Sequence, residues 1–332
     1  MRFYYIKITP VRGIPLVFST RIPAGNSPSS GTYNGAALQI DIDIFQSWYN
    51  QPSQNGYLRI YGVDFTDLNQ SRNLNPTVTG KKYEYAKIEI YVGMSSGLPY
   101  ANPAQAKLII NGSILQAFGN WQGNLISLDL IVTNATYDPN VNVNLSWEWE
   151  KNQTLESAVK GTLQKAYPDI PIYGNYSSDL IYTETQPYKY PNLSSFSQYI
   201  NGVSKQIIKS GNYDGAQIAS TATGFLLFDG TSPPQNTHNI EYTDIIGNLT
   251  WIETFIVQVK LVMRGDLNIG DYITFPKSAP VVNAAAVSAQ LRNNIAFQGK
   301  FIIDQIRHVG SSRQSNGDSW VTVVNCLIPG QI

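Results

Sequence analysis

The sequence predicts a mainly β protein in which a small α+β part sits between two β-rich stretches. Three observations predict it. Short apolar runs with period-two alternation, punctuated by Gly, Pro and Asn, fill the first 140 residues and return after residue 249. Helical periodicity is confined to two runs between residues 155 and 209. Aromatic residues make up 12% of the chain, with 21 Tyr and 6 Trp, and these favour pleated, half-buried surfaces. The expected boundaries are a first β unit over 1–140, an α+β unit over 141–248 and a second β unit over 249–332.

In the first unit, Ala37-Leu-Gln-Ile-Asp-Ile-Asp-Ile44 alternates strictly, with Leu38, Ile40, Ile42 and Ile44 on one face and Asp41 and Asp43 on the other. Asn55-Gly56 reads as a type I′ turn into the strand Tyr57–Val63, because both residues tolerate positive φ. Asp64 is placed to cap a short helix within 64–73. One long strand is expected over Tyr83–Val92. Lys107–Ile110 and Ser113–Phe118 flank Asn111-Gly112, a second hairpin signal, and Leu125–Val132 closes the set.

The middle unit opens with a strand over Val141–Trp149. A helix over Leu155–Tyr167, capped by Asn152 or Thr154, aligns Leu155, Ala158, Val159, Leu163 and Ala166 before Pro168 stops it. A second helix over Leu193–Lys209 aligns Phe196, Ile200, Val203 and Ile207. The Tyr- and Pro-rich segment Tyr173–Pro191 reads as a surface loop, and Ala216–Ser220 with Gly224–Phe228 as a hairpin. In the last unit, Phe255–Val262 is a strand, and Asp266–Phe275 holds a turn and another strand. Gly299–Val309 pairs with Ser319–Leu327 across Asn316-Gly317. Residues 276–294 form a long loop without period, a candidate contact arm.

Charge narrows the function classes. Charged residues are 14% of the chain, against about 25% in an average domain, and 23 cations balance 23 anions. So few charges suit a surface covered by partners. Zero net charge also removes the overall positive potential that drives binding to nucleic acid or anionic membranes. No uninterrupted apolar run approaches the ~18 residues of a membrane helix. The N-terminal residues lack a signal-like apolar core, so synthesis in a reducing cytoplasm is expected. Cys326 is the single cysteine and allows neither an intramolecular disulfide nor a cysteine metal cage.

A search for chemistry assigns no catalytic, cofactor-binding or metal-ligating residue, and no cofactor is expected. His238 and His308 are the two imidazoles; the first is expected solvated in a loop, the second at a sheet surface. Trp147-Glu-Trp-Glu150 places two carboxylates beside aromatic rings, as glycoside cleavage requires. Carboxylates at i and i+2 share one strand face, however, and cannot flank a bond from opposite sides. The expected arrangement is tryptophans in the core and glutamates in water. Asp41 and Asp43 lack the loop of a calcium site and read as the polar side of a half-buried strand.

One ordered series of motifs remains. Tyr57-Leu-Arg-Ile-Tyr-Gly-Val63, Tyr91-Val-Gly-Met94 and Gly97-Leu-Pro-Tyr-Ala-Asn-Pro-Ala104 precede Ile114-Leu-Gln-Ala-Phe-Gly-Asn-Trp-Gln-Gly123. Val262-Met-Arg-Gly-Asp-Leu-Asn-Ile-Gly-Asp-Tyr-Ile-Thr-Phe-Pro276, Ala296-Phe-Gln-Gly-Lys-Phe301, Ile306-Arg-His-Val309 and Ser319-Trp-Val-Thr322 follow. Spanning roughly residues 40 to 328, the series resembles the baseplate hub proteins of contractile-tailed bacteriophages. The resemblance implies two β-barrel domains similar to the tail-tube fold, with a smaller α+β domain between or beside them. It implies a homotrimer with pseudo-sixfold symmetry and no enzymatic activity. The implied partners are the central spike protein, a tail-tube or tube-initiator protein, the tape-measure protein and baseplate wedge proteins. DNA would pass only in transit, no membrane would be bound, and the location would be the tail baseplate of a virion made in the host bacterial cytoplasm. The competing expectation is a carbohydrate- or receptor-binding phage tail protein, which requires a compact aromatic patch beside hydrogen-bonding side chains.

Overall fold

The computed structural model describes residues 2–25, 27–47, 53–80, 82–95, 102–134, 144–181, 186–230, 236–276 and 297–330. The first stretch forms β1 (Arg2–Thr9), β2 (Leu16–Ser19), β3 (Arg21–Ala24), β4 (Ser27–Tyr33), β5 (Gln39–Ser47) and β6 (Ser53–Tyr61). It continues with α1 (Phe65–Asn69), α2 (Ser71–Leu74), β7 (Thr77–Thr79), β8 (Lys82–Glu84), β9 (Lys87–Met94), β10 (Lys107–Gln122) and β11 (Leu125–Asn134). The middle holds β12 (Leu145–Trp149), α3 (Leu155–Ala166), β13 (Ile172–Gly174), β14 (Gln186–Tyr190), α4 (Leu193–Ile207), β15 (Gln217–Ser220) and β16 (Phe225–Phe228). The last stretch forms β17 (Thr237–Asn239), β18 (Thr250–Glu253), β19 (Ile256–Val262), β20 (Tyr272–Thr274), β21 (Lys300–Ser311) and β22 (Trp320–Leu327).

Thirteen of these strands form one sheet. Its path runs β18-β19-β22-β21-β5-β6-β11-β10-β9-β1-β2, and β20 and β17 branch from β21. The two β-rich stretches are therefore stitched edge to edge, by antiparallel pairing of β5 with β21 from Ser47↔Gln305 to Asp41↔Ser311. The four strands on each side of this joint also share one route. In the first, hairpin β5-β6 is followed by hairpin β10-β11, and β11 lies beside β6. In the second, hairpin β18-β19 is followed by β21-β22, and β22 lies beside β19. The chain contains the same four-strand path twice.

Alternation decides which face is buried. Ile40, Ile42 and Ile44 of β5 are at most 3% exposed and enter the first core with Ile60, Ile88, Ile90 and Leu130. Burying each such side chain contributes roughly 1.5–3 kcal/mol. The second core gathers Val257, Val259, Leu261, Ile303, Ile306 and Val324. The seam between them is shared, because Trp320 of β22 and Met263 are buried in the first core. The Trp320 indole N–H donates to the carbonyl of Gly93 at 3.1 Å, and the Gly265 amide to Gln105 at 2.8 Å. Arg2 of β1 reaches back to the carbonyls of Ser311 and Asn316.

Neither early Asn-Gly pair makes a turn. Asn55 and Gly56 lie inside β6, opposite Phe45 and Ile44. A Cβ on Gly56 would stand 2.7 Å from the Ile44 side chain, so this glycine serves close strand packing. Asn111 and Gly112 lie inside the 16-residue β10, where a Cβ on Gly112 would meet the Thr133 carbonyl oxygen at 1.8 Å. The expected long strand over Tyr83–Val92 breaks at Tyr85 and Ala86, separating β8 from β9.

In the middle part both helices form as the periodicity predicts. Thr154 caps α3, accepting from the Ser157 amide, and Asn192 caps α4, accepting from the Ser195 amide at 2.8 Å. Their apolar faces pack on Trp147, Trp149 and Phe225. The segment Tyr173–Pro191 is more than a surface loop: Tyr176, Leu180 and Tyr190 are buried, and β14 pairs with β12. Pro187 hides this strand from a sequence reading, yet it is tolerated in a two-stranded sheet, where each strand has one unpaired side. The expected contact arm over 276–294 lies, beyond Pro276, outside the described residues.

Candidate assembly interface

The side of the sheet opposite the cores stays open across β19, β22, β21, β5, β6 and β11. Asp41, Asp43, Tyr57, Arg59, Gln305, Arg307 and Asn325 point to it because each alternates with a core residue. The face mixes polar and charged groups with the apolar side chains of Phe45, Leu115, Ile131, Val309 and Val323, and its charges are paired with one another. Arg59 grips Asp129 with two bonds, Nε–Oδ1 at 2.6 Å and Nη2–Oδ2 at 3.1 Å. Asn120 donates to the same Oδ2 at 2.6 Å. Tyr57 and Tyr61 flank the guanidinium, with ring centroids 5.6 and 5.8 Å away. The hydrogen bond that Arg59 donates to Asp129 raises the Arg59 pKa above its ordinary value.

Arg307 binds Asp43 in the same bidentate way, at 2.7 and 2.6 Å, which likewise raises its pKa. Tyr61 donates to Asp41 at 2.7 Å. Next to these pairs an amide ladder crosses three strands: Gln258 donates to Asn325 at 3.0 Å, and Asn325 donates to Gln305 at 2.9 Å. Lys260, farther along β19, lies 3.4 Å from Asp318. Asp41 and Asp43 thus occupy the polar strand side expected of them: Arg307 holds Asp43, and Tyr61 donates to Asp41 Oδ2 while the buried Oδ1 of Asp41 has no hydrogen-bond partner. The sequence reading missed Arg59, Asp129 and Arg307 as members of this face. Their signal was a charge at the centre of an otherwise apolar alternating run.

Beneath the second β unit lies a buried ionic cluster. Arg264, 4% exposed, binds Asp244 at 2.9 Å and Asp266 at 2.7 and 2.8 Å. His238 sits between Asp266 and Asp271, with its ring nitrogens 3.7 and 3.0 Å from their carboxylates. This corrects the expectation of a solvated His238. Its segment forms β17, parallel to β20, which carries the ring against the Arg264–Asp271 turn. His308 is corrected as well: it shares the face of Ile306 and is fully buried. Nδ1 lies 3.1 Å from Thr322 Oγ1, Nε2 has no protein partner, and burial lowers its pKa to about 3.

Trp147 and Trp149 are at most 2% exposed and pack on Phe196 and each other, so neither can stack on a sugar. Glu148 and Glu150 point outward together over α3, beside Ser157 and Lys165. Cys326 is fully buried on the core side of β22, and burial raises its thiol pKa. Large exposed apolar groups are spread over the surface, among them Ile14, Ile22, Val78 and Tyr188, and two sheet margins carry some of them. Phe118 and Trp121 of β10 are 49% and 65% exposed, and Phe65 packs edge-on against Trp121 at 5.1 Å. Ile252 of β18 and the adjacent Phe255 are 43% and 41% exposed.

No protein-family model and no curated protein matches this sequence. Solved structures do match. The chain is similar to a tail protein from Neisseria meningitidis, at 11% identity and a TM-score of 0.53, over 98% of this chain and 97% of that one. It is similar to the 43 kDa tail protein of prophage MuSo2 from Shewanella oneidensis, at 10% identity and a TM-score of 0.54, over 99% of both chains. A component of the Escherichia coli type VI secretion system, itself structurally similar to the T4 bacteriophage tail proteins gp27 and gp5, matches at 9% identity. Its TM-score is 0.51, over 89% of this chain and 74% of that one. What is shared at such identities is the path of the backbone: the chain has the mainly β fold of these tail proteins.

Proposed function

We propose that this chain is a structural baseplate hub of a contractile tail, in which three copies form a ring of six β units. The observation that carries this reading is the duplicated four-strand path within one chain. Two like units per chain and three chains per ring give six near-equivalent positions on a threefold axis. Such a ring can continue a sixfold tail tube, or its initiator, on one side. On the other it can seat a threefold central spike. Wedge proteins would contact its outer surface.

The open sheet face then lines the passage. Its cations are held by carboxylates, so a passing polyanion meets few free positive charges to which it could bind with release of counterions. Tape-measure protein and DNA would slide through and not be retained. The role is mechanical and geometric, without catalysis or cofactor, and the place of action is the tail baseplate of a virion assembled in a bacterial host.

Solution mass by light scattering tests the reading, for the chain alone and mixed with its spike protein. A species near 110 kDa, three copies of a 36.8 kDa chain, or a three-to-three complex is expected. A monomer under both conditions contradicts it.

A further inference from the structure

We propose that Asn316 is a self-modification site: its side-chain amide is lost by attack of the Gly317 nitrogen, which Arg2 and Ser319 activate. Asn-Gly occurs five times in the chain. Glycine has no Cβ, so its nitrogen is open to the side chain of the asparagine before it. The fold protects four of the five. Gly56 and Gly112 lie inside β6 and β10 and are paired on both sides. Asn201-Gly202 is inside α4, and the Asn201 side chain donates to the Asp214 carbonyl at 2.9 Å. Asn34 is held at both ends of its amide, donating to the Ser19 carbonyl at 2.9 Å and accepting from the Ala36 amide at 3.0 Å.

The fifth pair sits in the turn from β21 to β22, and both residues are exposed. The Asn316 side chain caps nothing, and a Cβ on Gly317 would meet no atom within 4 Å. The peptide unit between them is held by its oxygen. Arg2 Nη2 donates to the Asn316 carbonyl at 2.8 Å and the Ser319 amide donates to it at 3.1 Å. The Ser319 hydroxyl lies 2.5 Å from the same oxygen, nearer than its 3.0 Å to the Gln314 carbonyl. Two further bonds fix the guanidinium, to the Ser311 carbonyl and to Ser319 Oγ, both at 2.7 Å. Among the described residues no group accepts from the Gly317 N–H.

This arrangement favours the step that deamidation needs. When a peptide nitrogen loses its proton, negative charge moves onto the carbonyl oxygen of the same unit. A cation and two donors placed on that oxygen stabilise the charge. Solvent hydroxide takes the Gly317 amide proton, and the nitrogen forms a bond to Asn316 Cγ. The Cγ–Nδ2 bond breaks, and the departing nitrogen takes a proton from water and leaves as ammonia, which restores hydroxide. The cyclic imide then adds one water. Opening at Cγ gives aspartate, and opening at the main-chain carbonyl gives isoaspartate.

Either product adds one negative charge to a chain whose formal net charge is zero. In the isoaspartate the main chain runs through Cγ, and the freed carboxylate is the group that Arg2 and Ser319 already grip. The contact of β1 with the β21–β22 turn then changes from hydrogen bonds to an ion pair.

Time-resolved peptide mapping of the full chain, incubated in mildly alkaline buffer, tests the site and its activation. Mass spectrometry follows the amide-to-acid exchange and the isoaspartate at all five Asn-Gly pairs. Asn316 is expected to convert before the other four. Arg2→Gln should slow its conversion several-fold, and Arg2→Lys should restore part of the rate. Ser319→Ala, which leaves Arg2 in place, should also slow it; urea midpoints verify that the variants are folded. Earlier conversion at another pair, or none at Asn316, overturns the site. A restraint that merely orders the turn would make the Arg2→Gln and Ser319→Ala variants convert as fast as wild type or faster, and that result overturns the activation.

Discussion

Arg307 and Asp43, 264 positions apart in sequence, form a two-bond ion pair across the strand joint that unites the two β units. Their side chains are 53% and 40% exposed, so solvent screens the pair and it adds less than about 1 kcal/mol to stability. Its larger effect is electrostatic: it cancels a cation on the open face. Arg307→Ala should therefore shift the urea midpoint only slightly.

Neutralising the acids should act on binding. Asp43→Asn with Asp129→Asn frees Arg307 and Arg59 on the same face. The double variant should bind duplex DNA more tightly than wild type in a filter assay at low salt, and the difference should vanish as salt rises. No change at low salt would show that the pairing does not control polyanion affinity.

Stability should depend on Trp320 more than on any surface pair. Its ring belongs to β22 but fills the first core, with its N–H on Gly93. Trp320→Ala should cost about 3–5 kcal/mol through the cavity it leaves, seen as a lower urea midpoint. Loss of the seam should also let the two β units unfold in separate steps.

Acid should weaken the second β unit through His308. Burial lowers its folded-state pKa to about 3 from 6.5, so the folded protein holds the neutral ring. An unfolded chain takes up the proton first. Stability is thus complete above about pH 6.5 and declines as pH falls toward 3. Between pH 7.5 and 4.5 this amounts to about 3 kcal/mol at 1.36 kcal/mol per unit. Comparing wild type with His308→Gln in urea at both pH values checks it: the variant should lose less on acidification.

The buried cation gives a fifth test. Arg264→Met removes the partner of Asp244 and Asp266 while Asp271 and His238 remain beside them. Breaking a buried pair from one side costs about 3–5 kcal/mol, so the variant should be strongly destabilised at pH 7. Partial recovery is expected when the acids are neutralised together with it, as in Arg264→Met with Asp244→Asn and Asp266→Asn.

What could be read from the sequence was local. Ile40, Ile42 and Ile44 announced a strand and its buried face, and Asp64 and Thr154 cap the helices they precede. The Asn-Gly pairs misled because glycine also serves where two strands approach too closely for a Cβ, as Gly112 does beside Thr133. His308 was placed at the surface because a polar residue near a strand end usually lies there; period two with Ile306 pointed inward. The union of β5 with β21 and the charge pairing on the open face had no local signal. Both depend on residues far apart in the chain, and pattern within a window does not report such contacts.

In the proposed hub, like units repeat around a closed ring. Class-averaged electron micrographs of the assembled chain, viewed down the axis, measure it directly. A ring of three copies that shows six similar lobes around an open centre is expected. A compact particle without a central opening, or a ring with a number of lobes other than six, would contradict it.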